Sequence, residues 1–230
     1  MKLRIFTLFP EKFPGPLNFG IYKKAFDKNL WKLEIVNIRD YASDKNKTVD
    51  DTPYGGGSGM VIRPDVISKA LDKNINYKNN ERIIFLSPRG KKFDQSLAKK
   101  LSKESTINLL CGHFEGIDQR VLETRGIEEI SVGDFVLSNG ETASFVIADT
   151  IIRLLPGVIG NVQSSLEESF ENGLLEYPQY TKPQNWENKS PPDVLLSGDH
   201  AKIKDWRLSK SEDITRRQRP DLWKKYKEKK

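Results

Sequence analysis

The sequence predicts an α/β fold, a parallel sheet with helices on both faces, followed by a small, mainly helical C-terminal domain. Two observations lead to this prediction. Short apolar runs, typical of strands buried on both faces, alternate with stretches whose apolar residues recur every three or four positions, as in helices. After about residue 160 the sequence becomes acidic, then rich in Pro and Asn, and finally basic.

Five apolar runs are predicted as strands because they are short and bounded by turn residues. They cover residues 3–8, 33–38, 82–86, 107–111 and 127–130. Strands that alternate with helices predict a parallel sheet.

Helical spacing predicts helices over residues 61–71, 93–101 and 143–155 in the first part of the chain. Two further helices are expected at residues 200–217 and 220–226. We therefore expect three parts: an α/β domain over residues 1–160, an interdomain linker over 161–180, and a small basic helical domain over 181–230.

Composition excludes several classes of protein. Of 230 residues, 37% are hydrophobic and 30% charged, which fits neither a disordered chain nor a membrane protein. The most apolar stretch, residues 143–159, is interrupted by Asp149 and Arg153, and the N-terminus lacks the long apolar region of a signal peptide. One cysteine, Cys111, excludes an internal disulfide, and two histidines leave little for a zinc site. We expect a cytoplasmic location and no metal site.

Positive charge is concentrated at the C-terminal end. Residues 201–230 contain 12 Lys and Arg against 5 Asp and Glu, a larger surplus than the net charge of +6 of the whole chain. This asymmetry is typical of a domain that binds a polyanion. A solvated helix face with a lysine-rich tail would look the same, and charge alone leaves both interpretations open.

Glycine-containing loops follow three predicted strands, at residues 86–90, 112–116 and 132–140. Ligands of open parallel sheets bind beyond the carboxyl ends of the strands, and glycine lets the backbone approach a ligand closely. Neither the P-loop nor the dinucleotide fingerprint is present. The second and third loops lack Lys, which favours an uncharged or zwitterionic ligand with an adenine ring held by backbone groups. Each loop alone could be an ordinary tight turn.

Six segments resemble a known family. They read TVDDTPYGGGSGM, LSPRGKKFDQ, CGHFEGIDQR, EISVGDFVLSNGE, IIRLLPGVIGN and LLEYPQYTKP, in this order, between residues 48 and 183. They closely resemble the bacterial tRNA (guanine(37)-N1)-methyltransferases of the SPOUT superfamily, and the likeness runs from about residue 3 to residue 223.

The resemblance implies methyl transfer from S-adenosylmethionine to N1 of guanine 37 in tRNA, next to the anticodon. It also implies a deep trefoil knot in the α/β domain, an exception to the rule against knots. A homodimer with its active site between subunits and a C-terminal domain that grips tRNA are expected as well. The activity is generally associated with Mg²⁺, for which the sequence offers no dedicated protein site.

The resemblance assigns cofactor binding to the three glycine-containing loops. The residues concerned are Leu86, Ser87, Pro88, Gly112, Val132, Gly133, Asp134, Phe135, Val136, Leu137 and Gly140.

Two residues are candidates for the chemistry. The family's catalytic aspartate falls on Glu168, which we expect to be the general base, with neighbouring Glu167 as its rival. Arg153 could stabilise negative charge on the guanine O6. The plainer interpretations are a solvated acidic linker and a surface arginine that ends a helix.

This sequence departs from the family pattern at two of the loops. The second usually reads G-R-Y-E-G, and here His113 and Phe114 replace Arg and Tyr. The third usually has Gly-Gly-Glu, and Asn139 takes the first glycine's place, where tolerance of a left-handed backbone would preserve the turn.

Two other functions remain open from the sequence alone. The first is a non-catalytic RNA-binding module with a vestigial pocket. The second is a small-molecule enzyme that uses the same loops, with an incidental basic tail.

Overall fold

The computed structural model describes residues 1–160 and 168–228. The chain divides into two compact units, Met1–Gly160 and Asn161–Lys230.

A five-stranded parallel sheet forms the centre of the first unit. Its strands are β1 (Lys2–Thr7), β2 (Lys32–Asn37), β5 (Arg82–Lys92), β6 (Thr106–Leu110) and β7 (Glu128–Ser131). They lie in the order β2-β1-β6-β5-β7, and every neighbouring pair is parallel. The carboxyl ends of β5, β6 and β7 therefore lie along one edge, and the predicted α/β class is confirmed.

Helices pack against two apolar clusters, and alternate residues of the strands belong to one cluster or the other. In β6, Leu109 belongs to one cluster and Leu110 to the other. The first cluster includes residues from α1 (Gly20–Asp27), α3 (Gln95–Leu101) and α5 (Gly140–Ile152). The second includes residues from α2 (Pro64–Asn74) and α4 (Gln119–Thr124). Neighbouring strand residues point to opposite faces, so helices cover both faces of the sheet.

The helix expected at residues 61–71 begins later than predicted. Val61–Ile62 forms strand β4, which pairs antiparallel with β3 (Asp50–Asp51). Helix α2 then starts at Pro64. Proline is favoured at the first position of a helix, because the N–H that it lacks would have no partner within the helix there. Val61 and Ile62 are apolar and β-branched, and such a pair beside the start of a helix is compatible with a strand or with the helix itself. Their pairing with β3 shows that they form a strand.

Over residues 168–228, the second unit contains three helices: α6 (Asp193–Leu196), α7 (His200–Gln218) and α8 (Pro220–Glu228). Asp199 caps α7 by accepting a hydrogen bond from the Lys202 N–H. Part of the segment expected to be a linker packs here, since Leu174 is buried and the Leu175 N–H donates to Thr215 Oγ1 at 2.8 Å. None of the described helices has both the length and the apolar character needed to cross a membrane.

Candidate functional site

A cavity of about 380 Å³ lies where β5, β6 and β7 end. Residues from all three glycine-containing loops line it, so the structure brings together segments that are up to about 50 positions apart in sequence. Phe114, Phe135 and Val136 leave large apolar surfaces exposed around it. A concave site of this kind at a sheet edge is where open α/β proteins bind small molecules.

The first loop is a bulge within β5. Leu86 and Lys91 both pair with Ile130 of β7, so residues 87–90 project from the ladder. Gly90 returns the chain to the sheet, where an added Cβ would lie 2.3 Å from the Ile130 nitrogen. Only glycine allows this approach without moving the backbone.

The second and third loops are joined by their backbones. The Gly140 N–H donates to the Gly112 carbonyl at 2.9 Å. A Cβ on Gly140 would lie 2.5 Å from the Gly112 nitrogen, and one on Gly112 would lie 2.8 Å from the Phe85 ring. Both positions therefore require glycine for the loops to meet as they do.

Glu141 is a buried carboxylate at the start of α5. Its oxygens lie 2.7 and 2.9 Å from His113 Nε2, and Thr7 Oγ1 donates a further hydrogen bond to it. Burial raises the pKa of Glu141, but the hydrogen bonds from His113, Thr7 and the backbone outweigh it and hold this pKa below its ordinary value. Glu141 is therefore ionised at neutral pH.

The predicted cofactor residues line this cavity, with one exception. Asp134 does not line it: its side chain is exposed, and its carboxylate lies 3.4 Å from Lys92 Nζ. The role of Asp134 in cofactor binding, which its place in the loop motif suggested, stays a prediction. Phe85, Ile130 and Ala143 also line the cavity, although the sequence analysis placed them only within two predicted strands and a predicted helix.

Arg153 follows the last turn of α5 and is half-buried, and it is not among the residues that line the cavity. It lies close enough to Tyr22 to affect its ionisation. Burial and the hydrogen bond to Asp149 raise the pKa of Tyr22 to about 12, and the charge of Arg153 opposes that rise.

Glu168 lines a groove of about 450 Å³ in the second unit. Leu174, Tyr177, Ile203 and Arg207 line the same groove, and the Arg207 guanidinium lies 4.8 Å from the centre of the Tyr177 ring. Glu167, the rival base, lies outside the described residues. Over residues 1–160 and 168–228, no three His, Cys, Asp or Glu side chains are grouped so that they could hold a metal ion.

Comparison with known proteins decides the family. The model of the family described as tRNA (Guanine-1)-methyltransferase TrmD matches residues 1–225. The chain belongs to this family. The resemblance drawn from the loop motifs is thereby confirmed, and S-adenosylmethionine is the methyl donor that such a methyltransferase implies.

Curated relatives match along nearly the whole chain, and each is named tRNA (guanine-N(1)-)-methyltransferase. The protein of Pelagibacter ubique is 66% identical over 97% of this chain and 97% of its own length. That of Rhodospirillum rubrum is 50% identical over 98% and 95%. That of Bartonella tribocorum is 53% identical over 97% and 95%.

Proposed function

We propose that this chain transfers a methyl group from S-adenosylmethionine to N1 of guanine 37 in tRNA. The observation that carries the proposal is a cavity formed by three strand-end loops in a chain that the family model matches from residue 1 to residue 225. A non-catalytic RNA-binding module would have no need for three loops that converge on a cavity of ligand size.

The cavity suits the proposed cofactor. Its volume of about 380 Å³ lies within the range of small-molecule sites, roughly 300–1,000 Å³. Leu86, Val132 and Leu137 offer apolar surface to an adenine ring, and Gly112 leaves backbone groups accessible. The residues proposed to hold the cofactor are Leu86, Ser87, Pro88, Gly112, Val132, Gly133, Phe135, Val136, Leu137 and Gly140.

When bound, S-adenosylmethionine supplies a methyl group on a positively charged sulfur. Leu86, Gly112 and Leu137 would help to hold it in the cavity, and its methyl carbon would pass to N1 while the sulfur kept the electron pair of its former bond to that carbon. The N1 proton must leave, and we assign its removal to Glu168 as general base. Arg153 stabilises the negative charge that develops on the guanine O6 as that proton departs.

The proposed assembly is a homodimer with its active site between subunits. Exposed apolar side chains of the first unit support it: Phe19 and Ile21 at the start of α1, and Val146 on α5. Exposed apolar surface of this kind is typical of protein–protein contacts. We also propose a knotted path for the loops after β6 and β7, which the close contact between Gly112 and Gly140 supports.

Mass mapping of methylated tRNA tests the proposal. The purified chain, with S-adenosylmethionine, should add one methyl group at guanine 37 of a tRNA transcript and none to the same transcript with adenine there. Methylation of free guanosine would favour the small-molecule enzyme. If no product forms and S-adenosylmethionine does not raise the melting temperature, the chain is an RNA-binding module.

A further inference from the structure

Glu141 is a buried carboxylate that the proposed methyl transfer does not use. It is 0% exposed and is not among the residues that line the cavity, so it is not placed to touch a bound cofactor. Its oxygens contact His113 Nε2 and Thr7 Oγ1, and Thr7 also accepts a hydrogen bond from the Phe9 N–H at 2.9 Å. A buried carboxylate is costly unless its oxygens are hydrogen-bonded. The cluster therefore links the end of β1, the second loop and the start of α5.

Backbone hydrogen bonds anchor the second loop on both sides of its middle. The Gly112 carbonyl accepts from the Gly140 N–H at 2.9 Å, and the Glu115 N–H donates to the Met60 carbonyl at 2.9 Å. A turn hydrogen bond of 3.0 Å within the loop reaches no neighbouring segment. The side chains between the two anchors therefore decide how the middle of the loop lies against the rest of the first unit.

The middle of this loop has an unfavourable backbone conformation. Phe114 has φ +56°, in the left-handed region that a bulky residue rarely adopts. Its own side chain is 54% exposed and so contributes little to holding it. The side chain of the preceding residue, His113, is 10% exposed and lies 2.7 Å from Glu141 and 4.8 Å, between ring centres, from Phe9. A strained conformation persists only where its surroundings hold it, and these contacts of His113 do so here.

We propose that Glu141 is a positioning residue for cofactor binding, which acts through His113 to hold loop 112–116 in the conformation that forms the cavity. Without this contact, Phe114 can relax to an ordinary backbone conformation, and this part of the cavity wall moves with it. Only a fraction of the molecules then has a formed cavity, and the apparent affinity for S-adenosylmethionine falls in proportion. The inference rests on the proposed placement of the cofactor in this cavity.

The reach of the His113 side chain offers a matched pair of variants. In His113→Gln the amide nitrogen lies about where Nε2 does, so a donor to Glu141 is kept. In His113→Asn the side chain is one carbon shorter and ends about where Nδ1 does, so no donor reaches the carboxylate. Both variants carry the same amide and remove the ring that packs on Phe9. A difference between them therefore reports the contact with Glu141.

Calorimetric titration with S-adenosylmethionine tests the proposal. His113→Asn should bind the cofactor about tenfold more weakly than His113→Gln, the usual effect of losing one hydrogen bond to a charged group. Glu141→Gln, which replaces one acceptor oxygen by an NH₂ donor, should be weakened to a similar extent. The double variant His113→Asn, Glu141→Gln should bind no more weakly, because both changes remove the same contact. With saturating cofactor, the methylation rate of each variant should stay near that of the unaltered chain.

Ile147→Val controls for general destabilisation. Ile147 lies on α5 with Glu141, is fully buried and does not line the cavity. Removing one of its methyl groups should lower the melting temperature and leave cofactor affinity unchanged. Melting temperatures of all variants then show whether a loss of affinity merely follows a loss of stability.

Hydrogen exchange in the absence of ligand gives a second readout. Backbone amides of residues 112–116 should exchange faster in His113→Asn than in His113→Gln, whereas those of α5 should exchange equally in both. Mass spectrometry of peptides from the two segments measures this. A contact that only stabilises the fold would change exchange in α5 as well.

Equal cofactor affinities of His113→Asn and His113→Gln would overturn the proposal. Losses that add in the double variant would also overturn it, because His113 would then contact the cofactor by itself. If neither His113→Asn nor Glu141→Gln folds, the contact supports the whole unit rather than the loop, and the positioning role is overturned as well. Gly112→Val separates these failures from failure of the site: if that variant binds the cofactor normally, the cavity is not the cofactor site.

Discussion

Gly112 and Gly140 meet across a 2.9 Å backbone hydrogen bond, and neither position has room for a side chain. A Cβ on Gly112 would meet the buried Phe85 ring, which lines the same cavity. Gly133 differs, because its added Cβ would meet the end of the Phe135 side chain, and that ring is 55% exposed and can move. The sequence predicted that all three glycines contribute to cofactor binding. The contacts that distinguish Gly133 from the other two form only in the folded chain, so the sequence pattern does not contain them.

Gly112→Val should weaken cofactor binding by about tenfold or more, since forcing a side chain into a packed site costs about 1–3 kcal/mol and would displace the cavity wall. Gly133→Val should weaken binding as well, because the φ of +159° at this position strains a valine even though Phe135 can shift. Calorimetric titration of soluble protein with S-adenosylmethionine measures both. Gly160→Val is the matched control, since no heavy atom of residues 1–160 or 168–228 lies within 4 Å of its added Cβ. Equal affinities for all three variants would contradict the packing argument.

Glu168→Gln should lower the single-turnover methylation rate by about 10²–10⁴-fold, the usual contribution of a general base. Glutamine keeps the size and polarity of the side chain but takes up no proton, so S-adenosylmethionine and tRNA should still bind. Rapid-quench kinetics with enzyme in excess, together with equilibrium binding of both ligands, measure this. Glu167→Gln serves as the control and should retain nearly full activity. A normal rate for Glu168→Gln would assign the base to another group.

Among the elements, the start of α5 explains one departure from the family pattern. Asn139 has φ −163°, an extended backbone, so its expected tolerance of a left-handed turn is not what preserves the loop. Instead its side chain accepts a hydrogen bond from the Thr142 N–H at 3.1 Å and caps the helix. The sequence-based explanation was therefore wrong.

Asn139→Ala should lower the free energy of unfolding by about 1 kcal/mol, because the helix loses its cap. Asn139→Gly should cost only a few tenths of a kcal/mol, roughly the usual effect of glycine at a cap position. Urea denaturation followed by circular dichroism compares the two, with Asn139→Asp as the variant that keeps an acceptor. Equal stability of the alanine variant and the unaltered chain would show that the cap contributes nothing.

Local patterns predicted the sheet well. The strands of the central sheet were predicted because their apolar runs are typical of strands buried on both faces. Four of the five lie within one residue of the predicted bounds, and β5 continues to Lys92, six residues past its predicted end. Helix α1 and helix α4 were missed, since each is short and buries few residues. The bulge at residues 87–90 was also missed, because it depends on how β5 pairs with β7.

The candidate site was only partly predictable. Glycine placement after strands predicted all three loops, but the contact between His113 and Glu141 joins residues 28 positions apart. The periodicity of apolar residues indicates which residues of one helix or strand share a face. It therefore does not indicate a contact between His113 and Glu141, which lie on different elements. The available signal was an acidic residue two positions before the helix predicted over residues 143–155.

At the scale of the whole molecule, charge differs between the ends of the chain. Helices α7 and α8 contain most of the basic residues of the C-terminal region, and part of that charge is already paired. Arg216 lies 2.9 Å from Asp213, and Arg219 donates two hydrogen bonds to Asp221, at 2.8 and 2.7 Å. Arg219 holds the pKa of Asp221 down at about 2, so this pair stays charged throughout the physiological range. Exposed pairs of this kind contribute little to stability and can exchange an acidic partner for a phosphate.

Replacing Arg216, Arg217 and Arg219 together with Gln should flatten the dependence of tRNA affinity on salt. Each phosphate contact adds roughly 0.7–0.9 to the slope of log affinity against log salt, because a bound cation releases condensed counterions. The slope should fall by less than the loss of three phosphate contacts would produce, because Asp213 and Asp221 compete with phosphate for two of these arginines. Filter binding from about 50 to 200 mM salt measures the slope, and calorimetry should find cofactor affinity unchanged. Lys99, Lys100 and Lys103, replaced together with Gln, remove the same charge from the first unit and should leave the slope nearly as it was. If instead the arginine variant keeps the original slope, its three side chains bind no phosphate, and the basic end of the chain serves solubility alone.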